Sequence, residues 1–557
     1  MSHLIVWIIN LFRWIGNLWH KLLRRRVDYV RIDLTGTLPE FVTAPTFVQR
    51  RLLGQRAPTS LHQLRQQLQR IADDPHAQGV LLKIDHLTAG WATLQSLDDE
   101  LNQFRATGKR IIAYILTLDT ASYYAACTAD QIIAPPTAFF NVIGIRVEVQ
   151  FLRDALAKWG LAAEVEAVSP YKAAGEPFVR SDISPENRAQ LERLIDQRFE
   201  AIVSVIAKGR NKTAEEIHTL IDAAPLSAQT ASQHGLVDAL RYEDELEQYL
   251  GATDQKTIIL PWDEATGALH IPYLQHRRKV IGVVTVEGTI TTGGSRHIPI
   301  PIPLLGGQQA GSDSISQALR QAEHRRNIAA VVLYINSRGG DAFASDLIWR
   351  EVLRICKQKP VVVVMGDAAA SGGYYIAAPA SFIFAQPGTL TGSIGVVSLR
   401  PNAASLLERA GINTVVLSRG THSGLLSIST PPTDGERLAL RHQIFSFYAD
   451  FKQRVCDGRK LTDQQLEPIA GGRIWTGQEA LHHGLIDQLG GVPEGVQKAQ
   501  ELAGLIQDRS APIVLLRGGR KNTPPQPFPT QSLSEVLQLI ETVLHPHIWT
   551  IVPFEGI

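Results

Sequence analysis

The chain has 557 residues, enough for two large cores with appendages. Its 55 Lys and Arg balance 54 Asp and Glu to a formal charge of +1, so no global field favours nucleic acid and no such partner is expected. Three cysteines, Cys127, Cys356 and Cys456, are too few and too scattered for a disulfide framework and read as small buried hydrophobes.

From the N-terminus, residues 4–23 are mostly apolar, with Trp7, Trp14 and Trp19. Asn10, Arg13, Asn17, His20, Lys21 and Arg24 recur at three- to four-residue steps and form one polar stripe of a helix. No basic region precedes the apolar run and no small-residue cleavage site follows it, which argues against a signal peptide. A charge near the middle of a spanning helix costs roughly 2.5–3.5 kcal/mol. A helix lying in the membrane interface accommodates Arg13 without that cost. Residues 1–27 are therefore expected to be an interfacial anchor, with a single span as the alternative. In a span, Lys21, Arg24, Arg25 and Arg26 would put the rest of the chain on the cytoplasmic face.

An internal repeat follows. Tyr123 and Tyr124 match Tyr374 and Tyr375 at an offset of 251 (374 − 123). The same offset maps Ile84 onto Ile335, Ile143 and Gly144 onto Ile394 and Gly395, and Gly160 onto Gly411. Alternating strand and helix patterns in both copies predict an α/β fold with parallel sheets. Boundaries are expected at 251–278, around Pro261 and Pro272, and at 508–531, which holds Pro524, Pro525, Pro527 and Pro529. This gives a first repeat domain at 28–255, a second at 276–510, and a Pro-rich linker with a tail at 511–557. A last helix is expected near Leu533–Leu544. Within the second domain, the alternating Ile-Pro run inside 291–307 favours extended polyproline geometry. It suits a substrate groove, an oligomer contact or a plain loop.

Two segments of the second repeat carry chemistry. Val331–Ile335 reads as a buried strand running into Asn336, Ser337, Arg338, Gly339 and Gly340, where paired glycines can expose backbone N–H groups. Val361–Val364 is a second buried strand, and after a Gly-Asp break it leads to Ser371, Gly372 and Gly373 at a helix start. A serine there meets unpaired N–H groups and the positive end of the helix dipole. One alternative is a small-residue turn packed under a helix. Strand-Gly-Gly followed 31 residues later by strand-Ser-Gly-Gly (371 − 340) points instead to a serine acyl hydrolase, with Gly340 and Gly372 as oxyanion donors. No Gly-x-Ser-x-Gly elbow surrounds Ser371, and none of the 17 His stands in a triad context. A serine hydrolase without a histidine usually recruits a lysine as base. No metal-ligand spacing is present, and no cofactor or metal is expected.

These residues resemble signal peptide peptidase A, or protease IV, in its long double-domain form. The resemblance rests on Ser371-Gly-Gly-Tyr-Tyr-Ile-Ala, Ile335-Asn-Ser-Arg-Gly-Gly, Thr391-Gly-Ser-Ile-Gly395 and Ser169-Pro-Tyr-Lys172-Ala-Ala-Gly-Glu-Pro-Phe178, in the family's order. Arg338 is a departure, since the family usually has proline there. The resemblance implies two tandem Clp-protease/crotonase-like domains, Ser371 as nucleophile, Lys172 as general base and Ser393 hydrogen-bonded to that lysine. It also implies signal peptides and other apolar peptides as substrates and a homo-tetramer, with membrane association expected from the N-terminal helix. At the offset of 251, Thr120 stands in place of Ser371, Thr88 and Ala89 in place of Gly339 and Gly340, Val142 in place of Ser393, and Ser423 in place of Lys172. One composite site per chain follows. A free ammonium has pKa about 10.4, so Lys172 can act only if burial lowers that value. A crotonase-like acyl-CoA enzyme and a non-catalytic membrane scaffold are the rival readings.

Overall fold

A computed structural model describes residues 3–23, 26–42, 59–251, 256–274, 279–298, 307–509, 511–519 and 547–551; of these, 3–5, 19–23 and 547–551 are described by their backbone alone. The expected helix near Leu533–Leu544, most of the Pro-rich linker and residues 299–306 of the Ile-Pro run lie outside them. The chain divides into two compact units, Met1–Arg146 with Ile195–Arg278, and Val147–Leu194 with Lys279–Ile557. The repeat boundaries at 28–255 and 276–510 follow the duplication of the sequence. The compact units cut the chain differently, because residues 147–194 of the first repeat pack with the second.

The first unit is built on a six-stranded parallel sheet. Its order is Ile259–Pro261, Tyr29–Thr37, Gly79–Thr88, Arg110–Ile115, Gln131–Ala134 and Ala239–Leu240. The second unit repeats that order with Ile513–Leu516, Val280–Glu287, Ile328–Ser337, Val361–Ala370, Phe382–Ala385 and Gln488–Leu489. Parallel strands covered on both faces carry continuous apolar runs rather than alternation. Val361–Val364 is such a run and is buried throughout.

Interior hydrogen bonds are duplicated as well. The Tyr123 hydroxyl donates to the Leu236 carbonyl at 2.7 Å, and the Tyr374 hydroxyl to the Leu485 carbonyl at 2.8 Å. Arg210 pairs with Asp238, and Arg459 with Asp487. The later members are offset by 249 (485 − 236, 487 − 238) rather than 251, so two residues are lost between the tyrosines and this pair.

The second unit holds a further sheet that positions the site. Its strands run in the order Arg296–Ile298, Gly307–Gly311, Thr289–Thr291, Gly339–Asp341, His547–Ile551, Val397–Asn402 and Ala162–Ala167. Val397–Asn402 pairs antiparallel with Ala162–Ala167, Val397 facing Ala167. The offset of 251 carries this pairing to 413–418 and 146–151 (162 + 251, 397 − 251), and neither segment is a strand. Val415 and Leu417 are instead 84% and 91% exposed.

The helix His3–Leu23 forms as expected, but its polar stripe meets protein rather than water. Asn10 exchanges two hydrogen bonds with the backbone of Leu274, at 2.8 and 2.7 Å, and Asn17 two with that of Ile271, at 3.0 and 2.8 Å. Arg13 donates to the Pro272 carbonyl. Trp7, Phe12 and Trp14 are left exposed. Side chains of the later stripe residues His20, Lys21 and Arg24 are outside the described set. Among the described residues no helix is long and apolar enough to cross a membrane.

Candidate active site

Ser371 sits where the buried strand Val361–Ala370 gives way to the helix Gly372–Ala377. Its backbone has φ 56° and ψ −114°, a conformation that costs a non-glycine residue on the order of 1–3 kcal/mol. Surrounding contacts hold it there. Ser371 N–H donates to the Gly392 carbonyl at 2.8 Å, and the Ser371 carbonyl accepts from Tyr375 N–H at 2.8 Å. The two tyrosines pin the helix, Tyr374 through Leu485 and Tyr375 by donating to Asp346 at 2.7 Å. The Ser371 side chain makes no cap bond to its own helix, so the hydroxyl is left for other partners.

Thr391-Gly-Ser393 lies beside this turn because Leu390–Gly392 pairs with Ala368–Ala370. The Thr391 hydroxyl donates to the Ala369 carbonyl at 2.7 Å, and Ser393 N–H to the Arg473 carbonyl at 2.7 Å. Lys172 arrives from the other direction. Antiparallel pairing of Ala167 with Val397 continues as Val168 N–H donating to the Val396 carbonyl, and a turn at 170–171 follows. The next residue is Lys172.

The structure therefore brings Ser371, Lys172 and Ser393 together within the second unit. Lys172 Nζ is 2.6 Å from Ser371 Oγ, 3.0 Å from Ser393 Oγ and 3.1 Å from the Ser393 carbonyl oxygen. The three residues are 0%, 3% and 2% exposed in the order Ser371, Lys172, Ser393. Loss of hydration is the one cause that moves the lysine, and it brings the pKa from 10.5 down to about 7. A neutral amine has two N–H groups and one lone pair. Donation to the two Ser393 oxygens uses the N–H groups, which leaves the lone pair for the Ser371 hydroxyl proton.

Gly340 and Gly372 flank this centre. Gly372 opens the helix directly after Ser371. Gly340 lies in the strand Gly339–Asp341 beside Ile290, where a Cβ would stand 2.0 Å from the Ile290 carbonyl oxygen. Only glycine fits so close an approach. A Cβ on Gly373 would stand 2.8 Å from the Ser337 carbonyl oxygen, so the helix start and the glycine strand are neighbours.

Sequence reasoning overlooked the cradle behind the lysine. Gly472, at φ 86°, packs so tightly that a Cβ would lie 2.7 to 2.8 Å from Lys172 Cβ, Cα and N. Gly472 N–H donates to the Ile394 carbonyl at 2.8 Å, and Ser169 donates to the Gly471 carbonyl. The Arg473 guanidinium lies 3.7 Å from the centre of the Tyr171 ring. The adjacent Gly471 and Gly472 were the available signal. The repeat positions lack the machinery: Thr120 begins a helix capped by Asp119, Val142 is buried, and Ser423 is in an exposed turn.

The profile of Peptidase family S49 matches residues 103–255 and again 354–506. The chain belongs to peptidase family S49. The two S49 matches are themselves offset by 251 (354 − 103, 506 − 255), the spacing of the internal repeat. Among relatives, the chain is 31% identical to the chloroplastic serine protease SPPA of Arabidopsis thaliana, over 82% of this chain and 68% of that one. It is 30% identical to Protease 4 of Haemophilus influenzae, over 79% and 72% respectively. It is 29% identical to Protease 4 of Salmonella typhi, over 80% and 73%. A Clp protease profile matches residues 304–384, the stretch that contains both Gly340 and Ser371. This S49 chain is a serine peptidase with two tandem repeats, which sets aside the acyl-CoA enzyme and the scaffold.

Proposed function

We propose that this chain is a membrane-associated endopeptidase with a Ser/Lys dyad, acting on signal peptides and other apolar peptides. The reading rests on one observation, a buried amine with a lowered pKa 2.6 Å from the hydroxyl of a strained serine. Lys172 takes the proton of Ser371 as Oγ attacks the scissile carbonyl carbon. The oxyanion forms against the N–H groups of Gly340 and Gly372. The resulting Lys172 ammonium returns its proton to the leaving amine, and a water, deprotonated by the same lysine, releases the acyl group. Ser393 orients the amine and does not react.

The helix His3–Leu23 supports the membrane part of the reading. Its polar stripe is tied to residues 271–274, so Trp7, Phe12 and Trp14 point away from the unit, as an interfacial anchor requires. Assembly into a homo-tetramer is supported by the exposed apolar run at 415–417. The test is an active-serine fluorophosphonate probe on the whole protein. Labelling is expected at Ser371 and lost in Ser371→Ala; labelling that persists in that variant would refute the assignment.

A further inference from the structure

A strand from the far end of the chain lies inside the sheet that builds the site. His547–Ile551 pairs antiparallel with Gly339–Asp341, which sets Thr550 opposite Gly340. On its other side it pairs antiparallel with Val397–Asn402, which sets Trp549 opposite Val397. The first neighbour carries the proposed oxyanion donor. The second begins four residues after Ser393, the residue that holds Lys172 (397 − 393).

Without that strand, Gly339–Asp341 and Val397–Asn402 would be two edges facing across a gap one strand wide. Such a slot accepts an extended peptide through backbone N–H and C=O groups on both sides, whatever its side chains. A substrate whose scissile carbonyl reaches Gly340 must lie along the same edge. The tail and a substrate therefore compete for one place.

The tail is outside the residues that the S49 profile matches, which end at 506. Between Leu516 and His547 the sequence holds Pro524, Pro525, Pro527 and Pro529, a composition that favours an extended spacer. A segment carried on the same chain meets the slot intramolecularly, so weak strand pairing is enough to keep the slot filled.

We propose that His547–Ile551 is an autoinhibitory strand, seated in the peptide-binding slot of its own chain and displaced before substrate enters. The proposal rests on the peptidase reading of the dyad. Two variants test it, the chain lacking residues 547–557 and full-length Thr550→Pro, which removes one backbone N–H from the strand. Hydrolysis of a fluorogenic apolar peptide is expected to rise about tenfold in kcat/KM for both, the factor for a slot filled about 90% of the time. A synthetic peptide of residues 545–557 should then inhibit the shortened protein competitively. Equal rates in all three proteins, with Ser371 labelled by fluorophosphonate in each, would overturn the strand's role and leave the dyad standing. No labelling in any of them would remove the dyad, and the proposal with it.

Discussion

Lys172 is costly to bury and useful once buried, and both effects can be measured at this one residue. Below a pKa of about 7 it carries a proton and cannot accept another. Activity should therefore fall on acidification along a single ionisation near pH 7, read from kcat/KM against pH. A profile that rises only near pH 10 would show an unperturbed lysine. The same shift acts on stability. The unfolded chain holds its lysine proton up to pH 10.5 while the folded one releases it near 7, so between those values the unfolded state binds more protons. Stability rises with pH across that window, and the full penalty applies below it. Lys172→Met keeps the volume and removes the charge. Relative to the native chain it should be more stable at pH 7 than at pH 10 by a few kcal/mol, since each pKa unit is worth about 1.4 kcal/mol. Urea titrations at the two pH values would show this, and an equal difference at both would contradict it. Ser371→Ala and Lys172→Ala should each abolish hydrolysis, and the double variant should be no worse than either single one.

At the scale of elements, Lys172, the proposed base, is held from behind by the glycine pair. Gly472→Ala would force a Cβ against the backbone of Lys172 at a left-handed φ of 86°, so the lysine must shift. A displacement near 1 Å costs catalysis about 10²-fold. That loss should appear in kcat while circular dichroism remains native, and full activity would show that the cradle has slack. This contact also marks what the sequence could reveal. Four consecutive valines and a Ser-Gly-Gly are local signals, and they placed the strand and the turn correctly. Lys172 joined them only through a matched motif, because nothing near residue 172 says that Ser393 lies opposite. The register of Ala162–Ala167 on Val397–Asn402 is a pairing across more than 200 residues, and no local pattern encodes it. The polar stripe of His3–Leu23 was readable from its period, whereas its partners at 271–274 were not. The tail strand was missed for the same reason, since its two neighbours are distant in sequence.

For the whole molecule, duplication explains why there is one site and not two. Lys172 comes from the first repeat and Ser371 from the second, and residues 147–194 pack with the unit that holds Ser371. Thr120→Ala should therefore leave hydrolysis unchanged. The duplication also leaves an unmatched pair. Ala162–Ala167 found Val397–Asn402 within the chain, while their counterparts, 413–418 and 146–151, are not strands. Paired between copies as their counterparts pair within the chain, the two would act as a plug and a socket on one molecule. Such a contact would be heterologous, and would have to close into a ring or grow without limit. Val415→Asp with Leu417→Asp should blunt the plug, and Val149→Pro the socket. Either protein alone should sediment as a monomer. Mixed, the two retain one working plug and one working socket between them, so they should stop at a dimer. Light scattering on the native protein would then give the number of copies in the ring.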